Sequence, residues 1–380
     1  MKVLLLYDYP PSPGGLATQG DLLFRGLCQL GVDAHAVHLE SALEKEWYYR
    51  WFEPDVVLGI GYWGNTPELV LHPQSHGRRA VPWLVADGYI ANYHEVLNAL
   101  PLILVTSTWV KETYARDGVH PDNIEVLPVG CDTDAFAPRR RSDPKVRAVR
   151  RQLGVAEDEL LILTVGGDAA SKGGQEVMQA LALIQAQAPA YKYVCKVWPQ
   201  PRTTAQTALD LALANRLGLA DRVIYRECRT SREFMPYLLA ACDIYAGPSR
   251  IEGFGMVQVE ANACGKPVIA VDAMAFRDTM VHGENALLAS VAEEIKIGEA
   301  VLGAAQGFEP GHRVVFPYQR TSDFRASVPD IAAHLLKLMN DPGERERIGG
   351  AGRRRAVERY DYRVVARRFV DIMHEKLGIQ

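Results

Sequence analysis

Residues 248–260 read Pro-Ser-Arg-Ile-Glu-Gly-Phe-Gly-Met-Val-Gln-Val-Glu, and the fold is decided here. Before this stretch, 241–247 (Ala-Cys-Asp-Ile-Tyr-Ala-Gly) is a short apolar strand entering a loop. After it come Ala261 to Gly265 and the buried-strand run Pro267-Val268-Ile269-Ala270-Val271. The order is strand, glycine loop, helix, strand. Gly253 and Gly255 let backbone N–H groups approach a ligand closely, and the helix N-terminus that follows favours an anion. Glu260 falls about two turns into that helix, so Glu252 at its mouth and Glu260 can meet one ligand from the same side.

The same logic extends in both directions. In the first half, strands are expected at 2–9, 33–38, 55–60, 81–85, 102–106 and 124–127. A helix over 18–30 ends at the C-cap Gly31. In the second half, strands are expected at 160–165, 191–197, 223–225, 244–246 and 268–271, with helices over 174–187 and 203–217. Alternating β and α elements with apolar, β-branched strands imply parallel sheets covered on both faces. The fold class is therefore α/β: two tandem Rossmann-like, doubly wound parallel-sheet domains facing across a cleft. Ligands of such sheets bind outside the carboxyl ends of the strands. The charged, proline-rich stretch 138–144 divides a domain of residues 1–138 from one of 139–361, and 362–380 form a C-terminal helix. Residues 290–328 carry no clear period and are expected to be an irregular insertion, either a lid or an acceptor-shaping loop.

The chain of 380 residues is long enough for two domains, and its 48% hydrophobic and 23% charged content is that of a soluble globular protein. Met1-Lys2 leads straight into a core strand, so no signal peptide is expected, and no apolar run nears the roughly 20 residues of a membrane span. Six scattered cysteines with no C-x-x-C pair suggest neither a disulfide framework nor a zinc site. These features point to the cytoplasm, with peripheral contact at the inner membrane face left open. Residues 1–137 carry 8 Lys+Arg against 17 Asp+Glu, which argues against nucleic acid as a partner. The basic run from Arg139 to Arg151 reads as a solvated linker and first helix turn, or as an anion or membrane contact.

Glu252, Gly253, Phe254, Gly255 and Glu260, with the following Ala261–Val268 segment, resemble the E-x7-E signature of glycosyltransferase family 4 (group 1 glycosyltransferases, GT-B fold, retaining). The resemblance implies that Glu252 faces the donor sugar, that Glu260 takes ribose hydroxyls and that the glycine turn meets the diphosphate. Lys172, in Val165-Gly166-Gly167-Asp168-Ala169-Ala170-Ser171-Lys172-Gly173, resembles the family's V-G-R-x-x-x-x-K-G segment, whose Arg and Lys clamp the donor pyrophosphate. Gly167 stands at the Arg position here, and Arg202, Arg226 and Arg229 are candidate replacements. Gly14 and Gly15, between the first strand and the first helix, match the family's Gly-Gly loop beside the donor phosphate and the acceptor. The resemblance further implies that the last helix crosses back onto the first domain.

The family's fourth strand usually ends in His; here it reads Val81-Pro82-Trp83-Leu84-Val85-Ala86-Asp87. Asp87 becomes the candidate catalytic group opposite the sugar, with His94 as an alternative. Asp132-Thr133-Asp134 looks like a D-x-D metal motif but lies in a hinge-like segment. His72 and His76 have i,i+4 spacing, but Pro73 argues against an ordered pair and no third ligand is evident.

Taken together, the expected activity is retaining, metal-independent hexosyl transfer from a nucleotide sugar, a UDP- or GDP-sugar, to an unidentified acceptor (saccharide, lipid-linked or small molecule). No cofactor is expected. Lys172, Glu252 and Asp87 would be catalytic. A GT-B relative of another reaction type, such as an epimerase or phosphorylase, and a donor-binding pseudoenzyme or partner subunit remain open alternatives.

Overall fold

The computed structural model describes residues 1–86 and 88–379. The chain forms two compact units. The first takes Met1–Asp132, Lys296–Thr321 and Arg359–Gln380; the second takes Thr133–Ile295 and Ser322–Glu358.

In the first unit, β1 (Lys2–Tyr7), α1 (Gly15–Gln29), β2 (Asp33–His38), α2 (Ala42–Trp51), β3 (Val56–Tyr62) and α3 (His72–Ser75) come in order. They are followed by β4 (Ala80–Val85), α4 (His94–Asn98), β5 (Ile103–Val105), α5 (Thr108–Arg116) and β6 (Ile124–Val126). The strands pair in parallel in the order β2-β1-β3-β4-β5-β6. Val3 to Tyr7 are fully buried, as an unbroken apolar strand covered on both faces must be.

The second unit begins with α6 (Pro144–Leu153), β7 (Leu160–Val165), α7 (Gly174–Leu183), β8 (Tyr191–Val197), α8 (Pro201–Arg216) and β9 (Val223–Glu227). It continues with α9 (Met235–Ala241), β10 (Ile244–Ala246), α10 (Met256–Ala263), β11 (Val268–Val271), α11 (Phe276–Thr279) and β12 (Ala286–Ala289). Its sheet, order β12-β11-β10-β7-β8-β9, is also parallel. The sequence reading did not include β12, a strand of only four residues.

Residues 290–328 are not irregular. They form β13 (Val291–Leu302) and β14 (His312–Ala326), which pair as a two-stranded ribbon. A ribbon exposes most of its side chains, and Glu293, Glu294, Lys296 and Glu299 leave no apolar run for a sequence reading to find. Within the first unit its Ala300, Leu302 and Phe316 join the hydrophobic core, and Tyr62 Oη donates to the Ala305 carbonyl at 2.7 Å. Arg320 Nε lies 2.8 Å from Asp117 Oδ1, and both side chains are buried.

The helices α12 (Val328–Asn340) and α13 (Pro342–Arg355) complete the second unit, while α14 (Tyr362–Leu377) belongs to the first. There α14 packs on α1. A Cβ at Gly26 would fall 2.6 Å from Ala366 Cβ, and Gln29 Nε2 donates to Tyr362 Oη at 2.8 Å.

Candidate functional site

The strand order of the second sheet reverses between β7 and β10. At such a switch point the following segments leave toward opposite faces, and the carboxyl ends of the two strands open a crevice. The loop after β7 carries residues 166–173, and the loop after β10 carries residues 247–255. Arg250 N donates to the Ser171 carbonyl at 2.9 Å, tying one loop to the other. Gly173, at φ +77°, caps α7; a Cβ there would lie 2.3 Å from the Pro248 carbonyl oxygen. Only glycine allows that conformation and that approach together.

Lys172 is held between these loops. A Cβ at Gly166 would fall 2.5 Å from Lys172 Cγ, so the lysine stem lies directly over the glycine. Its ammonium donates to Glu252 Oε2 at 2.8 Å, with both side chains half-buried. Two residues 80 positions apart in sequence thus form one charge pair at the switch point. Phe254 is buried behind the turn, and Gly255 in the left-handed region caps α10.

Glu260 lies on α10 with its carboxylate buried, and its Oε1 is 2.6 Å from Arg232 Nη2. The Arg232 guanidinium also sits over the Phe136 ring, 4.6 Å from its centroid. A buried carboxylate demands such a partner. An ionised carboxyl has about four acceptor positions, so a single guanidinium contact leaves capacity for ligand hydroxyls. Arg232 was not among the candidates, because nothing in sequence links it to a glutamate 28 positions away.

Arg250 plays a different part. Its guanidinium reaches both Glu176 oxygens at 3.1 Å and Gln175 Oε1 at 2.9 Å. Arg325 Nη1 adds a second cation on Glu176 at 3.2 Å. This buried cluster braces the loop after β10 and is not available to a ligand.

Lys196, at the carboxyl end of β8, was also missed. It is paired in register with Val165, the last residue of β7, and its carbonyl accepts from Gly166 N at 3.1 Å. The side chain is 4% exposed, and among the described residues no hydrogen bond or ion pair uses its ammonium. Burial pushes that ammonium below the usual lysine range. The signal in sequence is a lone cation inside the apolar run Tyr193-Val194-Cys195-Lys196-Val197.

Of the remaining candidates, Gly14 caps α1 and Gly15 begins it, both in the first unit; a Cβ at Gly14 would meet nothing within 4 Å. Gly167 has the same open space around it. Arg202, Arg226 and Arg229 are exposed, and Arg226 donates to the Gln152 carbonyl at 3.4 Å. His94 is the first residue of α4. Asp87 lies outside the described residues.

Asp132 accepts from Arg25 Nη2 at 2.8 Å, and the division between the units falls immediately after it. The reading of His72 and His76 needs correction. His72 lies in and His76 caps one ordered helical stretch, in which a π-helical turn (Pro67–Leu71) runs straight into α3 with His72 N–H bonded to the Pro67 carbonyl; the wider turn accommodates Pro73. Glu46 is a candidate third ligand: Glu46, His72 and His76 place one ligand atom each within 4.8 Å of one another. No helix among the described residues is long and apolar enough to cross a membrane.

The fold is that of a two-unit α/β protein whose second sheet carries a lysine–glutamate pair at its switch point. Residues 145–304 match the family model for glycosyl transferases, group 1. The D-inositol 3-phosphate glycosyltransferase of Xylanimonas cellulosilytica is 32% identical over 220 residues, 57% of this chain and 51% of that protein. That of Geodermatophilus obscurus is 29% identical over 257 residues, 63% of this chain and 54% of that protein. The chain spans about half the length of the curated relatives it matches. Among solved structures, Anabaena HepE in complex with UDP and glucose aligns with TM-score 0.73 at 18% identity, over 98% of this chain and 99% of that one. The sucrose-phosphate synthase of Thermosynechococcus elongatus aligns with TM-score 0.75 at 16% identity over the whole of both chains. These likenesses establish the fold as that of the GT-B glycosyltransferases.

Proposed function

We propose that the protein transfers a hexose-type sugar from a nucleoside diphosphate sugar to an acceptor hydroxyl, with retention at the anomeric carbon and without a metal ion. The observation that carries this reading is the Lys172–Glu252 pair at the switch point, with Glu260 buried on the helix that follows. On donor binding, Lys172 exchanges its carboxylate partner for the diphosphate, and Glu252 accepts a hydroxyl of the sugar. Glu260 accepts from the ribose. The acceptor oxygen bonds to the anomeric carbon as the bond to the diphosphate breaks, and a diphosphate oxygen takes the acceptor proton. Charge grows on the leaving group in this step, so a fixed cation stabilises the transition state more than the bound donor.

UDP is the nucleotide of choice, since HepE is described with UDP and with UDP-glucose. Inositol 3-phosphate is the first acceptor to assay, because the curated relatives that match part of this chain are named for it. The resemblance in the switch-point loops supports retention. A second reading is favoured by Gly167, which stands where a second cation would be expected: the chain binds a donor without turning it over.

A thermal-shift screen of UDP-, GDP-, ADP- and dTDP-sugars tests the donor assignment. A ligand at 100 times its dissociation constant adds about 2.7 kcal/mol. Glu260→Ala removes charged-acceptor hydrogen bonds of about 1.5–3 kcal/mol each and abolishes the shift. If no nucleotide sugar raises the melting temperature, the donor assignment fails. If one does, yet no acceptor in a broad panel releases nucleotide, the binding-only reading replaces transfer. Loss of donor binding or transfer after chelation, restored by Mg²⁺ or Mn²⁺, would refute metal independence.

A further inference from the structure

We propose that Glu46, His72 and His76 form a zinc-binding site that clips α2 to α3 in the first unit. His72 and His76 lie one helical turn apart with their rings stacked, centroids 4.8 Å apart and planes at 28°. Both present Nε2 to the same atom: Glu46 Oε1 is 4.0 Å from His72 Nε2 and 3.8 Å from His76 Nε2. These separations are too long for hydrogen bonds. They suit three ligands around one cation, since such a triangle has its centre about 2.1–2.5 Å from each atom, close to zinc–nitrogen and zinc–oxygen distances.

The surrounding contacts orient the ligands. The His76 Nδ1 lies 2.9 Å from the His72 carbonyl oxygen, an acceptor only, so Nδ1 carries the proton and Nε2 keeps its lone pair. Ser75 Oγ adds a contact to the same Nδ1 at 3.1 Å. On His72, Nδ1 faces the Tyr49 hydroxyl at 3.5 Å. Outer hydrogen bonds of this kind fix the tautomer and aim of metal-ligating imidazoles. The second Glu46 oxygen is engaged separately, 3.8 Å from Arg50 Nη2, which leaves Oε1 to the histidines. Lys45 and Arg50 are cations close by that oppose a metal; the Lys45 ammonium is directed to the Glu68 carbonyl at 3.5 Å, and Arg50 to the second Glu46 oxygen.

Two imidazoles and a carboxylate are a donor set that suits zinc, with a fourth position for water. The site joins residues 26 positions apart, so its occupation stabilises the first unit. All three ligands lie in that unit, whereas Lys172, Glu252 and Glu260 lie in the second.

The test uses the whole chain stripped of metal with a chelator, with Zn²⁺ as the only added ligand. Calorimetry and metal analysis should give one zinc per chain, and zinc should raise the melting temperature. Co²⁺ should produce the visible absorption of a low-symmetry nitrogen and oxygen site. Glu46→Gln and His76→Ala should each weaken zinc binding at least tenfold while keeping the melting temperature of the stripped protein. His120→Ala, an exposed histidine elsewhere, should change nothing. Substoichiometric zinc, or unchanged affinity in Glu46→Gln and His76→Ala, overturns the proposal. Zinc should leave nucleotide-sugar affinity unaltered, so this result and the donor assignment stand or fall separately.

Discussion

The two sheets share a strand logic, yet the loops at their switch points differ. In the second unit the loops after β7 and β10 are cross-braced by the Arg250–Ser171 backbone bond, the Gly173–Pro248 approach and the Lys172–Glu252 pair. In the first unit the sheet reverses between β1 and β3, and the loop after β1 ends at Gly14. That glycine has open space where a side chain would begin. A braced, charged pair of loops is pre-organised for one constant ligand, whereas an open glycine loop can serve different ones. On the proposed function, these are the donor and the acceptor.

The largest effect should come from Lys172→Ala. Its kcat should fall about 100-fold, as on losing one oxyanion donor, with donor affinity changed less. A change confined to KM would show that the braced loops only bind and do not assist departure of the diphosphate.

Next comes a matched pair of glycine substitutions. Gly173→Ala forces a left-handed residue costing about 1–3 kcal/mol, besides its collision with the Pro248 carbonyl. Gly14→Ala should stay within about 0.5 kcal/mol, since its φ of 177° is extended and the space is open. Denaturant melts of both variants check the contrast, and equal losses would break it.

Lys196→Met should weaken donor binding about tenfold, the loss of one charged contact to a diphosphate. The ammonium is depressed by burial. Donor affinity of the parent should therefore decline with rising pH before the usual lysine range, once the charge is lost. In Lys196→Met that slope should flatten. Protonation of the buried amine disfavours the folded state, so its cost to stability is greatest at low pH. It is relieved as pH rises through the depressed folded value toward the ordinary unfolded one. An identical pH profile in the parent and in Lys196→Met would remove Lys196 from the site. The smallest effect is expected of Gly167→Arg, which has room for a side chain and adds a cation beside the same loop. A several-fold recovery of donor affinity in Lys196→Met would link the two positions.

Much of the second sheet was legible in advance. Strands at 160–165, 191–197, 244–246 and 268–271 match the observed β7, β8, β10 and β11, because strands buried on both faces must be continuous apolar runs. The ribbon of β13 and β14 was illegible for the opposite reason: its side chains are largely solvated, and its core contacts come from distant residues such as Tyr62 and Asp117. Pro73 misled because proline disrupts a regular α-helix, whereas here a π-helical turn precedes it. Without that expectation, the spacing of His72 and His76 would have stood, though Glu46 on another helix still could not have been found.

The sequence by itself determined the strand-loop-helix order, the alternation that demands parallel sheets, and the glycine and glutamate positions around residue 252. These depend on local backbone chemistry and on hydrophobic period, both of which act between near neighbours. Tertiary structure alone decided which charges meet: Lys172 with Glu252, Arg232 with Glu260, Arg250 with Glu176, and Glu46 with two histidines. It also left the Lys196 ammonium buried, with no hydrogen bond or ion pair among the described residues. Coulomb and hydrogen-bond energies act over a few ångströms in space, and separation along the chain does not reveal which groups the sheet brings that close.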